Sequence, residues 1–305
     1  MILVVGEALM ELRRRTDDGL VAAPGEWSGP FPSGAPAIFA SVAARLGAPA
    51  ALVACVGDDR FGRALDGRLR GDGVDCRALS LVPGRATAVA FVAYEPSGGR
   101  DFWFSVHDSA AVAVDPAILD FVAPDADWAH VSGSTLAFGG ALADAAEEAA
   151  TRVLAAGGRL SLDPNLRPDA SAEARARTGA LARRAHVVFP SEGELEAIGL
   201  EAAELVAAGA LVCHTLGREG ARLEGRAVGS EPVRVPAPPA EEVDPTGAGD
   251  TFAAAWVAAT RAGRDPVAAA RLAAGLAARS VGVLGAMQLG VEPLGSSGSV
   301  FDCAT

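Results

Sequence analysis

The sequence contains no lysine, so all 26 of its basic side chains are arginine. That absence excludes three chemistries at once. A P-loop places a lysine on the terminal phosphates of its nucleotide, protein kinases keep one on a strand, and pyridoxal enzymes bind their cofactor through one. A phosphate-handling protein of this composition must use backbone amides at helix N-termini, arginine side chains and a metal ion. Cysteine is scarce as well. Cys55, Cys76, Cys213 and Cys303 are scattered without CxxC spacing, which disfavours a structural zinc site and fits reduced thiols. His107, His130, His186 and His214 form no HExxH and read as packing or surface residues. No GxGxxG follows the first apolar run, which argues against a dinucleotide dehydrogenase. Apolar runs are short: Met1-Ile2-Leu3-Val4-Val5 falls far below a bilayer span, and the start lacks the basic region of a signal peptide. Cytoplasmic residence is the expectation. A formal net charge of -12 argues against nucleic acid or an anionic membrane as partner, while leaving a small phosphorylated ligand open.

What is present points to an α/β architecture. The 305 residues can bury one large core, so a single domain over 1–305 is expected, with a small appended subdomain. Ile2 to Val5 and Ala50 to Val56 read as buried strands, with an Ala-rich helix at Ala37 to Leu46 between them. Further apolar segments at Trp128 to Val131, Arg159 to Asp163, His186 to Phe189 and Ala210 to Leu216 alternate with helical stretches. Those stretches lie at Ala141 to Ala156, Ser171 to Arg184 and Glu192 to Ala208. Such alternation implies a mostly parallel sheet covered by helices on both faces, a three-layer αβα sandwich. Two regions break the rhythm, at about 10–32 and 86–108. The second reads as strands Ala88 to Tyr94 and Arg100 to Phe104 joined by Glu95-Pro96-Ser97-Gly98-Gly99. Together they are expected to form a β-sheet lid over the mouth of the main sheet.

The strongest chemical signal is Asp244-Pro245-Thr246-Gly247-Ala248-Gly249-Asp250, followed by a helix-compatible Ala-rich run. A turn of small residues opening a helix leaves several N–H groups aimed at one spot, where the helix dipole adds positive potential. That spot suits a transferring phosphoryl group. Asp250, in the first helical turn, is placed to take a proton from an incoming hydroxyl.

This string resembles the C-terminal signature of the ribokinase (PfkB) family of carbohydrate kinases, and further segments match in the same order. These are Gly6 to Leu12, Ser33 to Ala37 with Ala43 to Gly47, Val56 to Gly62, Asp163 to Pro168, Glu192 to Leu195, and Thr215 to Ala221. The resemblance spans nearly the whole chain and implies a ribokinase-like fold using ATP and Mg²⁺, with a monovalent cation left open. It further implies an anion hole at Gly247, Ala248 and Gly249 with Asp250 as base. The nucleotide would lie near Ser191, Thr215, Gly217 and Gly220. Glu194, with Glu192 and Glu196 beside it, takes the acidic position linked to Mg²⁺. Glu11, Gly34, Ser134 and Arg167 fall at substrate positions. A homodimer paired through the lid sheets is also implied.

Four departures stand out, the first being Glu11, one methylene longer than the Asp of many members. Ile38 replaces the usual Asn, Ser191 replaces the Asn that opens the acidic motif, and Ser105-Val106-His107 follows the lid aromatics where an Arg is usual. The resemblance is nearest to the 2-keto-3-deoxygluconate kinase and fructokinase branch. It places 2-keto-3-deoxygluconate first, because Gly6 to Leu12 with Glu11, and Asp163 to Pro168 with Arg167, look most like that branch and an Arg can pair a carboxylate, and fructose second. A sugar-binding or regulatory protein that kept the fold and lost turnover is the alternative of another class.

Overall fold

The computed structural model describes residues 1–96, 99–167 and 169–295. Ser97 and Gly98 of the expected lid turn, Pro168 and Cys303 lie outside these residues. In chain order the strands are β1 (Ile2–Val5), β2 (Leu9–Arg14), β3 (Trp27–Ser33), β4 (Ala50–Gly57), β5 (Leu79–Val82), β6 (Val89–Tyr94) and β7 (Arg100–Phe104). They continue as β8 (Trp128–Ser132), β9 (Arg159–Asp163), β10 (Val187–Val188), β11 (Leu211–Thr215), β12 (Ala221–Glu224) and β13 (Val233–Val235).

Nine of these strands form the main sheet, in the order β13-β12-β11-β10-β9-β8-β1-β4-β5. The seven from β11 to β5 run parallel, and β12 and β13 add an antiparallel edge. β1 and β4 are buried along their whole length, which is why they read as continuous apolar runs without alternation. Their side chains divide by parity. Ile2, Val4 and Leu52 join Phe39, Trp256 and Leu272 from the helices Ala35–Arg45, Ala248–Arg261 and Pro266–Ser280. Leu3, Val5 and Val53 join Leu142 and Leu181 from the helices Gly140–Ala155 and Ala172–Ala182 on the other face. The sandwich expected from the alternation is therefore present.

From β1 the chain winds outward to β4 and β5, then returns to β8 on the opposite side of β1. In a doubly wound sheet this reversal opens a crevice at the carboxyl ends of the strands. A second sheet of four strands, in the order β3-β2-β6-β7, is inserted there. Only three residues separate β2 from the end of β1, and β2 pairs parallel to β6 with Met10 opposite Val89. Trp27, Phe91 and Trp103 cluster on this sheet with ring centroids 5.2 Å and 5.7 Å apart. Its outer strand β3 carries Pro30 and Pro32.

Some sequence expectations are corrected. The helical stretch from Glu192 to Ala208 is two short helices, Glu194–Ala197 and Ala202–Ala207. Gly199, at φ +68°, turns the chain between them. β5, β12 and β13 were not expected. Among the described residues no helix is long and apolar enough to cross a membrane.

Candidate active site

The turn 244–250 is held from both sides. Val243 N and Asp244 N donate to Val281 O at 2.7 and 2.9 Å. The Asp244 carboxylate, 1% exposed, accepts from Thr246 N at 3.1 Å, Gly285 N at 2.9 Å and the Tyr94 hydroxyl at 3.4 Å. Gly247, at φ +77°, caps the helix Ala248–Arg261 in a left-handed conformation that favours glycine. A Cβ there would sit 3.0 Å from Ala286 Cβ and 3.1 Å from Ile38 Cδ1. Ile38, in place of an Asn, is thus a packing residue that closes one side of the turn. Gly249 is exposed, and a Cβ on it would meet nothing closer than Asp163 Oδ2 at 3.9 Å. No side chain caps this helix, and of its first amides Ala248 N donates to the backbone of the turn, at Pro245 O 3.3 Å away.

Asp250, 8% exposed, lies in the first helical turn, and its Oδ1 has no hydrogen-bond partner. Burial, with the Glu7 charge second, pushes its carboxyl up to about 7, against the opposing pull of Arg167 and Arg100. At the end of β9, Asp163 accepts from Asn165 N at 3.1 Å. Burial, then the charges of Glu194 and Asp250, holds its carboxyl well above the usual range. Glu194 is raised by burial and accepts from Ser191 N at 2.7 Å and Leu166 N at 3.2 Å, tying the turn after β10 to the loop after β9. Four residues beyond Asp163, the Arg167 guanidinium lies 3.9 Å from the ring centroid of Phe102 on β7. Burial and the neighbouring Arg100 charge lower its pKa.

Glu11, on β2, completes the opposite wall. Ser33 Oγ donates to its Oε2 at 3.1 Å, and its Oε1 has no partner. Burial and the Asp244 charge push this carboxyl up to about 7 as well. Gly34, at φ +106°, lets the helix Ala35–Arg45 start against the β1–β2 connection, since a Cβ would lie 2.6 Å from Glu7 O.

With this arrangement in view, comparison with known proteins identifies the lineage. The chain matches the profile of the pfkB family of carbohydrate kinases over residues 1–292. It belongs to that family of kinases. A fructokinase from Klebsiella pneumoniae is 32% identical, covering 93% of this chain and 92% of its own. Among solved structures, an E. coli protein provisionally named Ribokinase II superimposes with a TM-score of 0.86 at 36% identity, covering 94% of each chain. The same E. coli protein has also been solved with ATP and Mg²⁺. A fructokinase from Vibrio cholerae O395, bound to fructose, ADP and a calcium ion, matches with a TM-score of 0.78 at 26% identity, covering 94% of each chain.

The kinase brings Asp250, Asp163, Glu194, Arg167 and Glu11 to one crevice, under the small sheet. Ser191 and Thr215 adjoin it, with their hydroxyls 3.1 Å apart. Gly217 and Gly220 lie further along, between β11 and β12. A Cβ on Gly217, at φ +55°, would meet open space, whereas one on Gly220 would come within 2.1 Å of Val235 O. Close backbone packing against β13 is therefore sufficient reason for glycine at 220. Ser134 is directed at a residue the sequence reading passed over: its Oγ donates to Glu7 Oε1 at 2.8 Å, and Thr135 Oγ1 donates to Oε2 at 2.7 Å. Glu7 is 2% exposed and raised in pKa by burial, and its charge acts on Asp250. Arg100 and Tyr94 were also missed as site residues. Glu7 did stand beside Gly6 in a matching segment, but its partners lie 127 and 128 residues away.

Proposed function

We propose that this kinase transfers the γ-phosphoryl group of ATP to a primary hydroxyl of a ketohexose, fructose first, with Asp250 as general base. The observation that carries the reading is Asp250 itself, buried, with one oxygen unclaimed by the protein and a carboxyl raised to about 7, beside the uncapped amides of a helix N-terminus. A base of that strength is half-ionised near neutral pH and strong enough to accept a hydroxyl proton as the oxygen–phosphorus bond forms. In that step the substrate O–H proton moves to Asp250, the hydroxyl oxygen bonds to the γ-phosphorus, and the bond from phosphorus to the ADP oxygen breaks. The amides of Gly247, Ala248 and Gly249 receive the developing negative charge, which they can do without reorganising.

Glu11, through its unpartnered Oε1, and Arg167 are the groups that would orient the sugar. Ser191, Thr215, Gly217 and Gly220 are assigned to the nucleotide side. Among the described residues no cluster of three or more His, Cys, Asp or Glu could hold an ion unaided. Mg²⁺ is commonly held by one or two carboxylates together with phosphates and water. Asp163, buried, and Glu194, half-buried, are both raised in pKa chiefly by burial, with the Glu194 charge adding to Asp163, and they are the carboxylates that fit such a role. Bound Mg²⁺ supplies charge neutralisation on the phosphate oxygens. Closure of the small sheet as a lid, with Phe102 over Arg167, would keep water out.

The fructokinase relatives move fructose ahead of 2-keto-3-deoxygluconate. The Arg167 guanidinium keeps the sugar acid as a second reading, because it can pair a carboxylate. Measuring ATP consumption with Mg²⁺ on fructose, 2-keto-3-deoxygluconate, ribose and adenosine tests both. Turnover on neither of the first two rejects the assignment. A homodimer through the small sheets belongs to the same reading, supported by Trp103, which is 55% exposed on β7. Light scattering that returns a monomer at micromolar concentration would remove it.

A further inference from the structure

The sequence holds one tyrosine, and it sits where the small sheet meets the phosphoryl-binding turn. Tyr94, at the end of β6, is 6% exposed, and its hydroxyl lies 2.6 Å from Thr246 Oγ1 and 3.4 Å from Asp244 Oδ1. From the neighbouring strand β2, Arg13 lies over the Tyr94 ring, 4.9 Å from its centroid, and donates to Val243 O. Two strands of the small sheet thus hold three residues of the turn, Val243, Asp244 and Thr246, immediately before Gly247. Thr246 is also a neighbour of Glu11, so one hydroxyl stands between the proposed sugar wall and the proposed phosphoryl turn.

A packing role alone would need the ring and not the oxygen. Yet this residue is buried, and among the described residues its hydroxyl finds its partners in the turn. A buried hydroxyl that loses its partner leaves another polar group unsatisfied. Asp244 would then keep two backbone donors, Thr246 N and Gly285 N, but lose the one that comes from the small sheet.

We infer that Tyr94 is a positioning residue for phosphoryl transfer: through the Thr246 and Asp244 side chains it fixes the turn that presents the Gly247–Gly249 amides and Asp250, coupling the small sheet to the reaction centre. The inference rests on the proposed role of that turn. It differs from a role in sugar contact, because no Tyr94 atom need touch either substrate.

The test is a double-mutant cycle on the purified enzyme with its best sugar, using Tyr94→Phe, Thr246→Val and the pair together, with Asp250→Asn alongside. Tyr94→Phe keeps the ring and is expected to lower kcat about tenfold, about 1.4 kcal/mol of barrier, while the sugar KM stays within about twofold. Because the hydroxyls act as one unit, the double variant should be no slower than the slower single. Wild-type kcat in Tyr94→Phe, or losses that multiply in the double, overturns the inference. Retained activity in Asp250→Asn would instead overturn the reading of the site. An independent measurement needs no variant. Burial holds the Tyr94 phenol well above its ordinary pKa, so alkaline difference absorbance of the single tyrosine should show no ionisation in the range of free tyrosine. Titration there, in the folded protein, means the phenol is not buried against the turn and also overturns the inference.

Discussion

Two turns in this kinase look alike in sequence and behave in opposite ways. Gly57-Asp58-Asp59-Arg60-Phe61-Gly62 leads from β4 into the helix Arg60–Gly71, and Gly247-Ala248-Gly249-Asp250 opens the helix Ala248–Arg261. Each is rich in glycine and places an aspartate at a helix N-terminus. Partial burial would raise the Asp59 carboxyl, but it accepts from Gly62 N at 2.8 Å, Thr87 N at 2.8 Å and Thr87 Oγ1 at 2.7 Å, and these donors carry it below the usual range. Asp250 is buried more deeply, keeps one oxygen without any donor, and is pushed up to about 7. The glycines differ in the same way. A Cβ on Gly62 would come within 1.9 Å of Gly57 O, so the protein itself fills that space. At Gly249 the space is open. Saturated donors and filled volume mark a structural turn, and the reverse marks a turn that leaves room for a ligand.

The largest effect that would break this comparison concerns the two aspartates. Asp250→Asn is expected to reduce kcat by about a hundredfold or more, since general base catalysis contributes on that scale. Asp59→Ala should instead leave kcat near wild type and cost about 1 kcal/mol of stability as a lost helix cap, read by denaturant unfolding. Equal losses of activity in the two variants would erase the distinction.

The glycines give the next contrast. Gly62→Ala forces a backbone collision and should destabilise by about 2–3 kcal/mol. Gly249→Ala fits the empty protein and sits in a helix, so its melting temperature should match or exceed wild type. Its kcat should nevertheless fall, because the methyl group occupies the space assigned to phosphoryl oxygens. A Gly249→Ala enzyme with full activity would move the phosphoryl site elsewhere.

The titration of Asp250 supplies a third test. As a base it must be ionised, so kcat/KM should fall about tenfold per pH unit below about 7 and level off above it. Stability runs in the other direction. The folded carboxyl titrates near 7 and the unfolded one near 3.9, so between these values the folded state holds the extra proton. The stabilising contribution is full below the unfolded value and is lost as pH rises through about 7. Ligand-free protein should therefore melt at progressively lower temperature from about pH 5 to about pH 8, and Asp250→Asn should flatten that decline. Glu11, also near 7, adds a decline of the same sign that Asp250→Asn leaves in place.

The smallest expected effect is at Glu7. Glu7→Gln keeps most of the shape around Ser134 and Thr135 but removes a charge that raises Asp250, so the midpoint of the kcat/KM profile should shift to lower pH, by less than about one unit. An upward shift would show that Glu7 acts on Asp250 by some route other than charge.

Much of the framework was legible because its signals are local. β1 and β4 announce themselves as short apolar runs closed by glycine, and Asp244 to Asp250 is a continuous string. What escaped depended on distant partners. Glu7 looks like an ordinary turn residue until Ser134 and Thr135 bury it. β12 and β13 are four and three residues long and exist by pairing with β11 and each other, leaving little period to detect. The stretch Glu192 to Ala208 has the composition of one helix, yet Gly199 turns left-handed and Leu200 is buried against the β-sheet core, so tertiary packing overrode propensity. Ile38 was visible in the sequence only as a departure from the usual Asn, whereas its neighbour Gly247 explains it.

The two prolines of β3 carry a consequence for how the small sheet can grow. Pro30 and Pro32 have no N–H to offer, so this margin cannot template an added strand and is protected against stacking into ribbons. β7, Arg100–Phe104, has no proline and leaves the opposite margin open. Any extension by backbone pairing is therefore one-sided, adding at β7 and stopping there.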